Sequence, residues 1–428
     1  MEGAQHIPAD GPFILVPNHS SFADHFILDA ILDALRPSFT YYLTKAESFV
    51  HPLRSRWTVA MGGIPVNREQ PSRELLAAVD TVFAEGSTLV VYAEGTRGPG
   101  WPLLPLKDGA FRFAVRSKIP VIPVGMWGNQ HILPKGANLP RRATTRVVFG
   151  PPLAVDSTQS RSARVAALTQ SAAAALENLV DLARNPTAER DRASAQQLAD
   201  RAEATIETML SHTDTQPPAL RVHQARTLLS LAARLDPDNA DVRVTRARLT
   251  GLRAMDASVP LRLALLPRVR SGAARVVEKH PDHLMAHYLL GRWNLMTPRL
   301  LGGRTSKAVT HFGHTVRIAP HDTRYPMAHA EALIAAGDTA AAARQLARIV
   351  STPAPDPRTA DRRQRAAALY QKLTNTPAPD SAPDSSVLDA PEAPNSASSS
   401  NSSSSTGSSN VLNVPTPATV PTPSIPAR

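Results

Sequence analysis

The sequence contains no cysteine. That excludes a disulfide scaffold, cysteine-ligated zinc or iron–sulfur centres, and a cysteine nucleophile. No apolar run approaches the roughly eighteen residues of a membrane span. The opening stretch, MEGAQHIPADGP, lacks the basic and apolar regions of a secretory signal. Aromatics are scarce, at 5%, and are not interleaved with basic runs. With no nucleic-acid motif beside them, they argue against nucleic-acid binding in spite of a net charge of +11.

What is present points to several parts. A chain of 428 residues exceeds one ordinary domain, and 42% apolar residues suffice for real cores. The 39 prolines point to linkers or a disordered end. The charge is uneven: +3 over residues 1–190, +10 over 191–370 and −2 over 371–428.

Residues 1–187 alternate short apolar runs with helical periodicity. Phe13–Pro17, Ser87–Tyr92, Val121–Gly125 and Arg146–Phe149 read as buried strands bounded by Gly and Pro. Arg73–Ala84, Gly109–Lys118 and Leu168–Ala183 read as helices, the last broken at Asn185-Pro186. The alternation predicts an α/β domain with a largely parallel sheet. From 188 to 374 the strand signals vanish and Ala, Leu and Arg dominate. A loose repeat places Pro-containing turns at Pro237, Pro281 and Pro320 between helix ends. It resembles degenerate tetratricopeptide repeats, and so predicts an all-α solenoid over 188–374. Residues 375–428, rich in Pro and Ser, read as a disordered tail.

The chemistry-bearing residues lie in the first part. His19 follows the strand FILVP, and Asp24 stands five residues on. A carboxylate there can bond one ring nitrogen, fix the tautomer and leave the other nitrogen to take a proton. This is the base and orienter of a triad without a protein nucleophile, so a substrate hydroxyl would have to attack. Glu94-Gly95-Thr96-Arg97 follows a second strand. It offers a carboxylate, a flexible backbone, a hydroxyl and a guanidinium suited to phosphate. Gly62-Gly63-Ile64-Pro65-Val66-Asn67-Arg68 is a short apolar run ending in Arg. The run Val121-Ile122-Pro123-Val124 is preceded by Lys107-Asp108-Gly109-Ala110. Singly, each also reads as ordinary structure: a capping histidine, a polar turn, an edge strand, a core strand.

In this order the four motifs resemble the glycerolipid acyltransferase family typified by 1-acylglycerol-3-phosphate acyltransferases, over roughly residues 1–187. The resemblance implies transfer of a fatty acyl group from acyl-coenzyme A or acyl carrier protein to a lysophospholipid hydroxyl, with no metal and no other cofactor. It implies His19 as general base and Asp24 as its orienter. It also implies Arg68, Glu94, Gly95, Thr96 and Arg97 as the acceptor's phosphate site. Ala93 stands where the family usually has Pro, and Asn67 where it often has an acid. Family members usually carry an apolar helical segment before the His motif, so either the true start lies upstream of Met1, the reading slightly favoured, or membrane docking has moved elsewhere. The expected location is the cytoplasmic face of a membrane. There the basic helical region would meet an anionic leaflet or an acidic carrier protein. The competing reading is a non-enzymatic lipid-binding or scaffold protein working through its helical repeats; the retention of His19, Asp24, Glu94 and Arg97 together argues against it.

Overall fold

The computed structural model describes residues 1–36, 38–67, 72–134, 137, 139–153, 159–210 and 216–377. Six strands form one sheet: β1 (Phe13–Pro17), β2 (Thr40–Lys45), β3 (Gly63–Val66), β4 (Thr88–Val90), β5 (Val121–Trp127) and β6 (Arg146–Phe149). Their spatial order is β3-β2-β4-β1-β5-β6. All pairings are parallel except that of β5 with β6, which agrees with the parallel sheet expected. In β1, Ile14 stands opposite Leu89 on one side and Val121 on the other.

Strand period sends successive side chains to opposite faces. Phe13 and Leu15 join one apolar cluster, Ile14 and Val16 the other. The first face is covered by α1 (Asp24–Leu35) through Leu28, Ile31, Leu32 and Leu35. The second is covered by α3 (Arg73–Ala84), α4 (Gly109–Ser117) and α5 (Arg161–Arg184). Helix α2 (Pro52–Ala60) lies between β2 and β3. Gly125 lets α5 approach β5 closely, because a Cβ there would lie 2.3 Å from the Leu179 carbonyl carbon.

Three elements were not legible as such: β2, α1 and α2. Strand β4 is shorter than the run Ser87–Tyr92, since the chain leaves the sheet after Val90 to build a turn. The closing helix starts earlier than Leu168, at Arg161, with the Ser160 hydroxyl accepting from the Ala163 N–H.

Nine further helices follow among the described residues: α6 (Ala188–Leu210), α7 (Pro218–Leu235), α8 (Ala240–Met255), α9 (Val259–Lys279), α10 (Leu284–Met296), α11 (Thr305–Ile318), α12 (Arg324–Ala336), α13 (Thr339–Ser351) and α14 (Pro357–Thr374). Each packs chiefly on its neighbours in sequence. The turns at Pro237, Pro281 and Pro320 fall between helices, where the repeat puts them. Two of these turns are closed alike. Asn239 accepts from Val242 N–H at 3.0 Å, and His283 Nδ1 from Ala286 N–H at 3.3 Å.

The array does not begin on a free surface. Leu198, Ala202 and Ile206 of α6 and Leu228 and Leu229 of α7 share one buried cluster with Phe13, Leu15, Leu28 and Leu32. The tail expected over 375–428 lies outside the described residues from 378 onward.

Candidate active site

In this sheet β1 and β4 are neighbours whose carboxyl ends feed helices on opposite faces, α1 on one and α4 on the other. Diverging connections open a crevice at the strand ends, and ligands of open α/β sheets bind in such crevices. His19 leaves β1 there, and Glu94–Arg97 leaves β4 there.

Asn18 ends β1 by turning its side chain to β5. Its amide donates to Met126 O at 3.0 Å and accepts from Met126 N–H at 2.7 Å. The backbone is thereby released and His19 is presented at the sheet edge. Asp24, the first residue of α1, is fully buried. Its Oδ2 accepts from His19 Nδ1 at 2.9 Å, Ser20 N–H at 2.9 Å and Ser21 N–H at 3.0 Å. Its Oδ1 accepts from the Asn129 side-chain amide, which also donates to Ser20 Oγ at 2.9 Å. A carboxylate so surrounded is acceptor only, so His19 Nδ1 carries the proton and Nε2 the lone pair. Nε2 makes no hydrogen bond among the described residues, and His19 lines a cavity. The Tyr92 ring stacks on the imidazole, 4.0 Å between centroids, and fixes its plane. His25 meets it edge-on at 6.0 Å. Burial, and then His19, push the pKa of His25 down to about 4, so it is neutral near pH 7.

The second strand end is tied to the first. Glu94 accepts from His19 N–H at 2.7 Å and from Leu104 N–H at 3.0 Å. Gly98 N–H donates to His19 O at 2.8 Å. Burial pushes the Glu94 pKa up, while its bonds to the two backbone N–H groups work against that. Glu94 does not line the cavity. Its hydrogen bonds make it a clamp between two loops.

Gly95 has φ +73, and a Cβ there would lie 2.9 Å from Lys107 Cε. Only glycine lets the turn form with Lys107 lying over it. Gly95, Thr96 and Arg97 do line the cavity, of about 1180 Å³, together with His19. Arg68 lies outside the described residues, although Asn67 before it lines the same cavity.

Sequence reading gave no site role to four contributors: Lys45, Lys107, Asn129 and Tyr92. Lys45 ends β2 and Lys107 precedes α4, and both line the cavity. Among the described residues, Lys45, Arg97 and Lys107 have no carboxylate partner, whereas Arg112 beside them is paired with Asp108 at 2.7 Å. Three cations without an ion-pair partner among the described residues, and an imidazole, line one cavity, a set that can attract an anion beside a proton acceptor. The alternation in TYYLTK was the available signal for β2 and hence for Lys45. Nothing local marks Asn129, which is more than a hundred residues from Asp24 in sequence.

Comparison with known proteins shows what this part resembles. A family model described as "Acyltransferase" matches residues 1–127. The N-terminal part of the chain is similar to that family. Similar to it is the chloroplastic 1-acyl-sn-glycerol-3-phosphate acyltransferase of Brassica napus, 27% identical over 157 residues, or 36% of this chain and 44% of the relative. The enzyme of the same name from Bacillus subtilis is 26% identical, over 35% of this chain and 70% of its own. The mouse 1-acyl-sn-glycerol-3-phosphate acyltransferase alpha is 28% identical, over 36% and 55%. The crystal structure of the 1-acyl-sn-glycerophosphate acyltransferase of Thermotoga maritima aligns with a TM-score of 0.33 and 26% identity, covering 42% of this chain and 70% of that one. The chain spans less than half the length of the first relatives it matches. The matched residues 1–127 include all the cavity-lining residues named above.

Proposed function

We propose that this protein transfers a fatty acyl group from a thioester to the hydroxyl of a lysophospholipid, 1-acylglycerol-3-phosphate foremost. The observation that carries the reading is the pairing of His19 with Asp24 beside Lys45, Arg97 and Lys107 in one cavity. In this reading His19 Nε2 takes the proton of the acceptor hydroxyl as its oxygen attacks the thioester carbonyl. Asp24 holds the ring and stabilises the imidazolium that forms. Collapse of the tetrahedral intermediate forms the ester and expels the thiolate, which takes the proton back from His19. The cations hold the acceptor's phosphate and so place its hydroxyl, as positioning requires. The donor is acyl-coenzyme A or acyl carrier protein, with no metal or further cofactor called for. The relatives' printed names support the acceptor.

The test is to supply purified full chain with acyl-coenzyme A, or acyl carrier protein, and a panel of lysophospholipids. Lysophosphatidate should be consumed, and His19→Ala should abolish turnover with its thermal melt intact. Turnover by His19→Ala at the parent rate would refute the assignment.

A further inference from the structure

We propose that His25 is a second catalytic imidazole, whose neutral N–H donates to the oxyanion formed when the acceptor hydroxyl attacks the thioester carbonyl; the inference rests on the function proposed above and adds the group that meets the carbonyl oxygen. His25 follows Asp24 as the second residue of α1, so the turn that carries the orienter of His19 also sets this ring. Its imidazole lines the cavity with His19. The two rings meet edge-on, 6.0 Å between centroids. Tyr92 braces both, its ring 4.0 Å from that of His19 and 5.0 Å from that of His25. Tyr42 lies 4.7 Å from His25 and is pinned in turn, its hydroxyl donating to Asp29 of α1. Yet the His25 ring makes no hydrogen bond among the described residues. A ring held by aromatic neighbours and left without a polar partner is preorganised for an incoming atom.

Its charge state selects that atom. A neutral imidazole carries one N–H and donates without charge. Burial, and then His19, keep His25 in that form near pH 7, and the N-terminal turn of a helix disfavours the cation further. The acceptor's phosphate already has Lys45, Arg97 and Lys107. The carbonyl oxygen is uncharged at first and gains charge only as the bond to the hydroxyl forms, so a neutral donor there strengthens its bond in the transition state. Reach fits as well. Hydrogen bonds of about 2.6–3.2 Å from each imidazole let rings 6.0 Å apart serve one tetrahedral centre. The acceptor oxygen bonds to the carbonyl carbon, its proton goes to His19 Nε2, and the C=O pair moves onto the oxygen that faces His25. The charge gained by His19 keeps His25 neutral, so the two rings do not exchange roles. Collapse restores the C=O, breaks the C–S bond and returns the proton to the thiolate; His25 keeps its own throughout.

The test is steady-state kinetics of the full chain with palmitoyl-coenzyme A, or palmitoyl carrier protein, and lysophosphatidate. His25→Phe keeps a ring beside Tyr42 and Tyr92 and removes the N–H. Its kcat should fall by about 100- to 1,000-fold at similar KM and an unchanged thermal melt. His25→Gln restores an N–H donor and should be faster than His25→Phe by about tenfold or more. A donor analogue with a methylene in place of the thioester carbonyl should bind His25→Phe and the parent equally, because it offers the N–H no oxygen. His25→Phe at the parent kcat, or with its loss confined to KM, would overturn the proposal. So would His25→Gln no faster than His25→Phe. His19→Ala separates this inference from the one it rests on. Inactive His19→Ala beside fully active His25→Phe removes the oxyanion donor alone, whereas a parent inactive towards lysophosphatidate with both donors removes both.

Discussion

The Glu94 carboxylate accepts the backbone N–H of His19 at 2.7 Å, joining two strand ends that lie 75 residues apart in sequence. Through its other oxygen it holds Leu104, so His19 and the loop beyond the Gly95 turn are set by one buried side chain.

Glu94→Gln follows from this geometry. The amide keeps one acceptor and turns an N–H₂ towards a backbone donor. The cost should be about 1–3 kcal/mol of stability, with a matching fall in kcat/KM as His19 loses its fixed position. Chemical denaturation and steady-state kinetics on the same protein check both; parent-like values would remove the clamp.

Asp24 takes four N–H donors on two oxygens. Asp24→Asn must turn its new N–H₂ against at least one of them, and it no longer fixes the His19 tautomer. Turnover should fall by roughly three orders of magnitude or more with little change in the fold. Asn129→Ala removes one donor only. It should lower kcat by about tenfold at similar KM, because Asn129 touches Asp24 and lies outside the cavity lining.

The helical array is part of the sheet's core. Arg201 of α6 donates to Leu35 O at 2.6 Å and to Ala4 O at 2.9 Å, and Gln224 of α7 to Asp33 O at 3.0 Å. A chain ended at 187 loses the partners of Phe13, Leu28 and Leu32 on that face. Burial of Leu198, Ile206, Leu228 and Leu229 is worth about 1.5–3 kcal/mol each, a sum comparable to the whole stability of a domain. The truncated chain should lose its cooperative melt and bind a hydrophobic dye, whereas a chain ended at 377 should melt like the parent.

Acid should destabilise the fold early. His25 is held at about 4 in the folded chain against 6.5 ordinarily, and His311 is also pushed to about 4, by burial first and then by His287, Lys307 and His314. The unfolded chain then binds these protons first. Stability is thus full above about pH 6.5 and falls as pH drops towards 4. For His25 the loss should be on the order of 2 kcal/mol at the low end. Melts at pH 7 and pH 5 should differ less for His25→Gln than for the parent.

Much of the core was legible because strands buried on both faces leave unbroken apolar runs. FILVP, VIPVG and RVVF became strands, and Arg73–Ala84 became a helix with the bounds its periodicity gave. Two less apolar elements were not legible: β2 mixes Thr, Tyr and Lys, and α2 buries none of its described residues. His19, Asp24 and the Glu94–Arg97 turn were visible as residues that carry chemistry at strand exits. Lys45 and Asn129 were not, and Lys107 stood in a motif without a role, because each reaches the site only through the sheet's strand order.

By itself, then, the sequence determined which residue types stand at the strand ends, and that a helical region without strands follows. It did so because periodicity and short-range spacing are local properties. The tertiary structure decided what each residue faces. It placed Asp24 in a cage closed by Asn129, set Glu94 as a clamp between two strand ends, and left Lys45, Arg97 and Lys107 without carboxylate partners among the described residues. It also joined α6 and α7 to the sheet's core across the boundary that composition suggested near 187. Hydrogen-bond geometry and burial depend on contacts between distant parts of the chain, and only folding brings those together.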